Sequence, residues 1–275
     1  MGEKVLAGSL TRWAAADRRK PAVPSPRVLT KLVVPLALLA FWQVLVEREV
    51  YSRSQLPAPL DVYRAARQMA EIELLWPNIQ ISLERVAQGF VIGSLVAIVL
   101  GLLVGLSKLA NEMLEPTIQA IRAVPSLAWV PMLVLWMGID ERPKITLVAI
   151  GVFFPVFANL VSGIRQVDRK LVEAAAAYGM HGVRLGWEVL LPASLPSLLT
   201  GLRLGLAQGW LFLVAAELIG ANTGLGFLLT DGQNTGRSDI IVLSIIILAV
   251  IGKTSDWLLQ IGEKRLLRWT DTYGK

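Results

Sequence analysis

Long stretches without a charged residue are the feature that most limits what this chain can fold into. They fall at 32–46, 86–107, 123–139 and 145–164. A helix rises about 1.5 Å per residue, so about 20 apolar residues cross the roughly 30 Å hydrocarbon layer of a membrane. The second and fourth stretches reach that length, and flanking charged side chains that extend to the interface help the shorter two to span. We therefore predict an all-α integral membrane protein.

The composition agrees with this interpretation and narrows the chemistry. The chain is 54% hydrophobic and 17% charged, whereas soluble domains carry about 25% charged residues. The net charge of +6 fits the excess of basic residues in cytoplasmic loops, so no nucleic-acid partner is predicted. The absence of cysteine excludes disulfides and thiolate metal sites, and one histidine, His181, cannot build a histidine cluster or a hydrolase triad. We predict no metal site and no catalytic residue.

Two further apolar stretches, 198–219 and 240–261, contain charged residues and bring the predicted count to six transmembrane helices. The first stretch of the chain ends in Glu47-Arg48-Glu49 instead of a small-residue cleavage site, so we interpret it as a retained helix rather than a signal peptide. The predicted division is an N-terminal tail (1–31), a first transmembrane helix (32–50), a periplasmic segment (51–84), a transmembrane core (85–261) and a C-terminal tail (262–275).

Basic residues in the connections predict the orientation. Sixteen Lys and Arg residues lie on the side that holds both termini and the 165–197 loop, against eight on the other side. Lys and Arg collect on the cytoplasmic side of membrane proteins. We therefore predict that both termini and the 165–197 loop are cytoplasmic.

Residue spacing adds local predictions. After the extended Leu56-Pro57-Ala58-Pro59, the stretch 60–76 has apolar residues at helical spacing, which predicts an amphipathic helix on the membrane or on the helix bundle. Small residues at four-residue spacing let helix backbones approach closely, either inside one subunit or at a dimer or moving interface. These residues are Gly89, Gly93, Ala97, Gly101 and Gly105, and Gly201, Gly205 and Gly209.

The 165–197 loop has the signals of a helix–turn–helix. Asp168 is suited to cap a helix over 169–178, and Gly179 is suited to the left-handed residue that ends it. A second short helix is predicted over 181–190, ending before Pro192. An apolar stripe accompanies it, made of Val183, Trp187, Leu190 and Leu191.

Within this loop, Glu173-Ala174-Ala175, Gly179 and Val189-x-Leu191-Pro192 resemble the signature of ABC importer permeases, Glu-Ala-Ala-x3-Gly-x9-Ile-x-Leu-Pro, with Val in place of Ile. The resemblance implies that these residues form a coupling loop that docks on an ATP-hydrolysing subunit. Segments 122–131, 135–139 and 214–219, the last followed by 224–226, resemble permeases for aliphatic sulfonates, taurine and nitrate, and the segment 56–59 is similar too. The fold implied is a type I (MetI-like) core plus one N-terminal helix.

The resemblance also implies an assembly in the bacterial inner membrane. It consists of a second copy of the chain, two cytoplasmic ATP-binding subunits and a periplasmic substrate-binding protein. The chain would be a non-catalytic pore subunit that binds no cofactor itself, with ATP and magnesium held by the partner ATPase. The expected cargo is a small organic anion, most closely an aliphatic sulfonate, with taurine and nitrate as alternatives.

Polar and charged residues inside the predicted spans are candidates for the translocation pathway or a gate, because they are costly to bury in lipid. Arg122 and Arg203 are near cytoplasmic ends, where extension to the interface also explains them, and Lys253 and Asp256 are placed to neutralise each other. Glu217 is placed to pair with a cation or cap a gate. The predicted pathway residues are Arg122, Trp129, Asn159, Ser162, Gln208 and Glu217.

Two other classes of protein stay open at this point. An ion-coupled secondary transporter would use Glu217, Lys253 and Asp256 as a relay, and it leaves the 165–197 loop without a role. A membrane scaffold or enzyme is disfavoured by the absence of a catalytic constellation.

Overall fold

The computed structural model describes residues 26–267, with side chains from residue 33 onward, and every regular element in that part is helical. The chain divides between Tyr51 and Ser52 into two units. The first contains helix α1, Pro26–Glu47. Its apolar part, Val33–Glu47, is shorter than the roughly 20 residues that cross a membrane upright, so the count of six spans stays a prediction. Most of the predicted tail 1–31, and residues 268–275, lie outside the described residues.

The second unit contains the remaining helices, and four of them, α3, α6, α10 and α12, are long and apolar enough to cross a membrane. The elements are α2 (Pro59–Glu71), α3 (Leu75–Leu106), α4 (Lys108–Ala123), a 3₁₀ turn (Ser126–Trp129), α5 (Val130–Met137), α6 (Glu141–Arg165), α7 (Arg169–Ala177), α8 (Gly182–Leu185), a π-helical turn (Gly186–Leu190), α9 (Leu191–Ala193), α10 (Leu195–Gly220), α11 (Leu225–Asn234) and α12 (Ser238–Leu266).

The uncharged stretch 123–139, which we predicted as one span, is part of a bent pair of helices. Helix α4 ends at Ala123, and the helical piece Ser126–Met137 continues from it at an angle of 87°. Val124 between them is extended, with φ −74° and ψ 124°, because a residue that precedes proline avoids the helical region. This part of the chain is therefore a bent helix pair whose first half is the charged, amphipathic α4.

Helix α3 begins at Leu75, ten residues before the predicted core boundary at 85. It has 32 residues and is about 48 Å long at 1.5 Å per residue. The helix continues through Asn78, Ser82 and Arg85 because these polar side chains are buried and bonded inside the protein. The sequence prediction ended the span where the charges begin, and that boundary was wrong.

Helix α6 forms the centre of the bundle, between α3 and α10. The glycines of α3 face it: an added Cβ on Gly93 would lie 2.4 Å from the carbonyl oxygen of Ala149. The glycines of α10 face its other side, where an added Cβ on Gly201 would lie 2.8 Å from Cβ of Asn159. Both small-residue stripes therefore serve packing inside one chain, with backbones in close approach.

The predicted amphipathic helix is present as α2, although it ends at Glu71 instead of Trp76. Its buried face consists of Val62, Ala65 and Met69, and it packs against the bundle on α12 and α3. Pro59 is its first residue, a position that proline favours because the missing N–H has no helical partner there.

Candidate functional site

The loop between α6 and α10 forms the predicted helix–turn–helix hairpin, and residues of the loop itself cap the two ends of its first helix, α7. The carboxylate of Asp168 accepts a hydrogen bond from the Lys170 N–H at 2.9 Å, which caps α7. Gly179 follows the end of α7 with φ +78°. Its N–H and that of Met180 return to carbonyls of the last turn, the paired bonds of a Schellman motif.

The second arm of the hairpin differs from the single helix predicted over 181–190. Helix α8 passes into a π-helical turn over Gly186–Leu190 and then into α9. Pro192 lies within α9, so the arm does not end before it. An added Cβ on Gly186 would lie 2.6 Å from Leu106 of α3, which seats the π turn against the bundle.

The apolar residues of the hairpin divide into anchors and an exposed patch. Leu190 is buried and Leu191 packs on the core. Tyr178, Val183 and Trp187 are 84%, 70% and 54% exposed. Large exposed apolar side chains grouped on one projection mark a surface for a protein partner. We call Tyr178, Val183 and Trp187 the hairpin patch.

The signature residues occupy defined places on this hairpin. Glu173 is exposed and forms an ion pair with Arg169 at 2.9 Å. Ala175 is buried against the bundle, whereas Ala174 is exposed. Val189 is half-buried and Pro192 is exposed. The carboxylate of Glu173 is thus presented next to the hairpin patch rather than used inside the fold.

At the opposite end of α6 and α10 lies a buried charge cluster that the sequence reasoning missed. Arg85 of α3 is its centre, with 1% of its surface exposed. Its Nη2 donates to Oε1 of Glu141 at 2.8 Å, and its Nε donates to the other oxygen of that carboxylate. Its Nη1 donates to Oε1 of Glu217 and to the Thr223 carbonyl, both at 2.7 Å. Lys144 donates to Glu141 at 3.0 Å.

The same cluster caps helix α11. Oε2 of Glu217 accepts the Gly226 N–H at 2.8 Å. The Ser82 hydroxyl donates to Glu217 at 2.8 Å and accepts the Leu225 N–H at 2.9 Å. The first amides of α11, which have no partner within their own helix, are thereby bonded by side chains of α3 and α10.

The cluster contains two cations and two carboxylates, so it is neutral as a whole. Arg85 and Lys144 balance Glu141 and Glu217. A buried charge that is paired and fully hydrogen-bonded is tolerated where an unpaired one is not. The sequence signal for Arg85 was available: it stands four residues before Gly89, at the spacing of the glycine stripe.

The predicted pathway residues do not gather in one place. Trp129 lines an apolar groove of about 460 Å³ between α3, α4, α5 and α6. Asn159 donates to the Pro155 carbonyl of its own helix at 2.8 Å, and Ser162 accepts from Gln166 at 3.0 Å. Arg122 is exposed at the end of α4. Gln208 lies on an exposed face of α10, and Glu217 belongs to the charge cluster.

The remaining ionisable residues form a second, more exposed network. Arg203 does not simply extend to the interface, because it donates to Asp256 at 3.0 Å and to Glu263 at 3.2 Å on α12. Lys253 is 3.5 Å from Asp256, a longer contact than that of Arg203. The relay that a secondary transporter would need is not assembled, since Glu217 lies in the other cluster.

Comparison with known proteins gives a consistent result. A family model described as "Binding-protein-dependent transport system inner membrane component" matches residues 90–268. A putative aliphatic sulfonates transport permease protein of Bacillus subtilis (strain 168) is 38% identical over 268 residues, 97% of either chain. One of Escherichia coli (strain K12) is 40% identical over 240 residues, 87% of this chain and 91% of its own.

Two further likenesses bear on cargo and fold. The taurine transport system permease protein of Escherichia coli (strain K12) is 34% identical over 252 residues, 90% of this chain and 92% of its own. A chain of the MetNI methionine ABC transporter, solved in inward facing conformations, is 20% identical with a TM-score of 0.62 over 74% of this chain and 99% of that chain. This last likeness shows a shared fold.

Proposed function

Because this chain belongs to the family of binding-protein-dependent transport system inner membrane components, it is a permease subunit of an ABC importer, and we propose that its cargo is an aliphatic sulfonate. The chain is a multi-pass inner membrane protein without catalytic activity of its own, and it works with a separate ATP-binding subunit. The observation that carries the cargo proposal is the 38% identity over 97% of both chains to a relative named for aliphatic sulfonates.

Taurine is the second candidate cargo, supported by the taurine permease at 34% identity over 90% of this chain. Taurine differs from a simple alkanesulfonate by its ammonium group, so the two share the anionic end. Nitrate, the third alternative raised by the sequence, is an inorganic anion without the alkyl chain. An ion-coupled transporter, a scaffold and an enzyme are set aside by membership of the importer family.

The proposed assembly contains two copies of this permease, two cytoplasmic ATP-binding subunits and a periplasmic substrate-binding protein. ATP and magnesium bind to the ATP-binding subunits. The hairpin and both termini lie on the cytoplasmic side, in agreement with the excess of basic residues there. The charge cluster, at the other end of α6 and α10, then lies on the periplasmic side.

The hairpin is the proposed docking surface for the ATP-binding subunit. Tyr178, Val183 and Trp187 provide apolar contact area, and Glu173 and Gly179 provide the exposed carboxylate and the tight turn. Since Leu190 and Leu191 anchor the second arm to the core, a displacement of the hairpin moves the bundle with it. ATP drives transport only if it binds one conformation of the complex more tightly than the other.

The pathway residues are proposed to act by contact with the anion. Arg122 offers a cation at the end of α4, and Asn159, Ser162 and Gln208 offer neutral polar groups along α6 and α10. Trp129 and Glu217 border the pathway or a gate without binding the anion, since one is apolar and the other is already neutralised by Arg85.

Uptake by the reconstituted transporter tests the cargo. The complete complex in proteoliposomes, with its binding protein outside and ATP inside, is expected to accumulate labelled ethanesulfonate, with weaker competition from taurine and none from nitrate. Omission of ATP is the matched control. Accumulation without ATP would contradict the importer mechanism, and taurine outcompeting ethanesulfonate would move the cargo assignment to taurine.

A further inference from the structure

Between Leu204 and Leu218, helix α10 presents an open face beside the glycine stripe that packs on α6. Leu204, Leu211 and Leu218, each seven residues from the next, are 51%, 58% and 44% exposed. Gln208 and Ala215 lie between them, so the spacing alternates between four and three residues. Side chains at this spacing form the seam along which one helix packs against another. We call these five residues the α10 seam.

Gln208 is the polar residue of the α10 seam, and a polar side chain is unfavourable in contact with lipid. It lies at the middle of α10, twelve residues from its last residue, Gly220, and thirteen from its first, Leu195. Its side chain is exposed, and within residues 33–267 its amide has no hydrogen-bond partner. An amide without a partner at the centre of a bilayer is costly, because hydrocarbon offers neither donor nor acceptor.

Several other polar side chains of the spans have a hydrogen-bond partner inside the chain. Thr200 donates to the Pro196 carbonyl at 3.0 Å, Asn159 donates to Pro155, and Ser162 is bonded to Gln166. Trp210 on the same helix donates to Ser255 of α12 at 3.0 Å. Gln208 has no such arrangement, so its partner has to come from outside the described chain.

A second copy of the same chain supplies that partner. A side-chain amide carries both a donor and an acceptor, so two amides related by a two-fold axis can each donate a hydrogen bond to the other. The seam leucines repeat on either side of Gln208 and would pack around such a pair. A polar residue at one position of an apolar seam also fixes the register of two helices.

We propose that the α10 seams of two copies face each other across the translocation pathway, and that the two Gln208 amides form its polar constriction at mid-membrane. When the seam is closed, each amide bonds to the other. When it opens, their N–H groups face the cargo. A sulfonate has three acceptor oxygens and no donor, so it takes the place of the opposite carbonyl. A neutral donor holds an anion weakly enough to release it, as conduction requires.

This proposal rests on the proposed function for the two-copy assembly and for the cargo, and the meeting of the seams is tested separately from the cargo. Because the sequence contains no cysteine, single substitutions give an unambiguous cross-link. Leu204→Cys and Leu211→Cys, introduced into the complete transporter in membranes, are expected to form a disulfide-linked product at twice the 30.0 kDa mass of the chain. The yield is expected to change between ATP-bound and nucleotide-free states.

Val250→Cys on α12 is the matched control, since this residue is 59% exposed near the middle of another span. Seam cysteines that cross-link no better than Val250→Cys in either nucleotide state would overturn the meeting of the seams. The transport role is tested with Gln208→Leu and Gln208→Asn. Leu is expected to lower sulfonate uptake at least tenfold with the complex still assembled, and Asn is expected to retain most of it.

Equal uptake by Gln208→Leu and the unaltered transporter would overturn the role of the amide. If the unaltered transporter takes up no sulfonate, the proposed cargo is wrong. The seam is then judged by the cross-links, which do not depend on cargo.

Discussion

Replacing Glu217 by Gln changes one atom of a buried carboxylate and should weaken the end of the bundle that lies opposite the hairpin. Glu217 accepts hydrogen bonds from Arg85 at 2.7 Å, Ser82 at 2.8 Å and the Gly226 N–H at 2.8 Å. Glutamine provides one oxygen for these donors, and its NH₂ group then faces either Arg85 or Gly226. The cluster is also left with two cations against Glu141 alone.

The expected cost follows from these contacts. Breaking a buried, hydrogen-bonded ion pair by removing one charge typically lowers the free energy of unfolding by about 3–5 kcal/mol. We expect Glu217→Gln to fall in this range, because Arg85 and Glu217 are 2% and 0% exposed at their side chains. The free energy of unfolding is measured by titrating SDS into detergent micelles and following tryptophan fluorescence.

The matched control is Asp256→Asn, which removes a carboxylate from the Arg203 network. Arg203 keeps a second carboxylate, Glu263 at 3.2 Å, when Asp256 is neutralised, so the free energy of unfolding is expected to fall less than in Glu217→Gln. A second comparison uses Arg85→Met combined with Glu217→Leu, which leaves Glu141 paired with Lys144 and should cost less than the sum of the two single changes. Equal stability of Glu217→Gln and Asp256→Asn would refute this account of the cluster.

Three further predictions concern the hairpin and the packing. Gly179 has φ +78°, so Gly179→Ala should lower the free energy of unfolding by about 1–2 kcal/mol. It should also lower the recovery of the ATP-binding subunit on co-purification. Gly179→Asn, which tolerates this conformation, should lower both quantities less. Tyr178→Ala with Trp187→Ala should weaken that complex by about 2 kcal/mol or more, roughly 30-fold in Kd by titration, without changing the stability of the permease. Gly93→Ala should lower the free energy of unfolding by about 1–3 kcal/mol, because the added methyl group presses on the backbone of α6. Gly252→Ala, whose methyl group meets open space, should not destabilise the protein in the same SDS titration.

The hairpin was predictable from sequence because its determinants are local. Asp168 caps the helix that follows it, and Gly179 ends that helix in a left-handed conformation, within a span of twelve residues. The bend in the third predicted span was also predictable in part, since Val124 precedes Pro125 and a residue before proline avoids the helical conformation. The first half of the bent pair, α4, was not predicted, because it carries charges and lies outside the uncharged stretch 123–139.

The charge cluster was not predictable in the same way. Arg85 is separated by 56 residues from Glu141 and by 132 from Glu217 along the chain. A pattern of local hydropathy assigns each such charge to a loop or an interface, because only the packed bundle shows that the charges neutralise one another. Glu217 was recognised as unusual, but Arg85, the first residue of the predicted core, was not identified as its partner.

The two sites lie at opposite ends of the same rigid block, and this limits where the transporter can change shape. Helices α3, α6 and α10 meet through glycines at near-backbone distance, and Arg85 joins all three at the end opposite the hairpin. Close-packed helices tied in this way shift together instead of sliding past one another. In the proposed transporter, a push on the hairpin would therefore tilt the block as a unit. The rearrangement would then occur at the helix faces that do not pack within the block. The α10 seam, with Gln208 at its centre, is such a face.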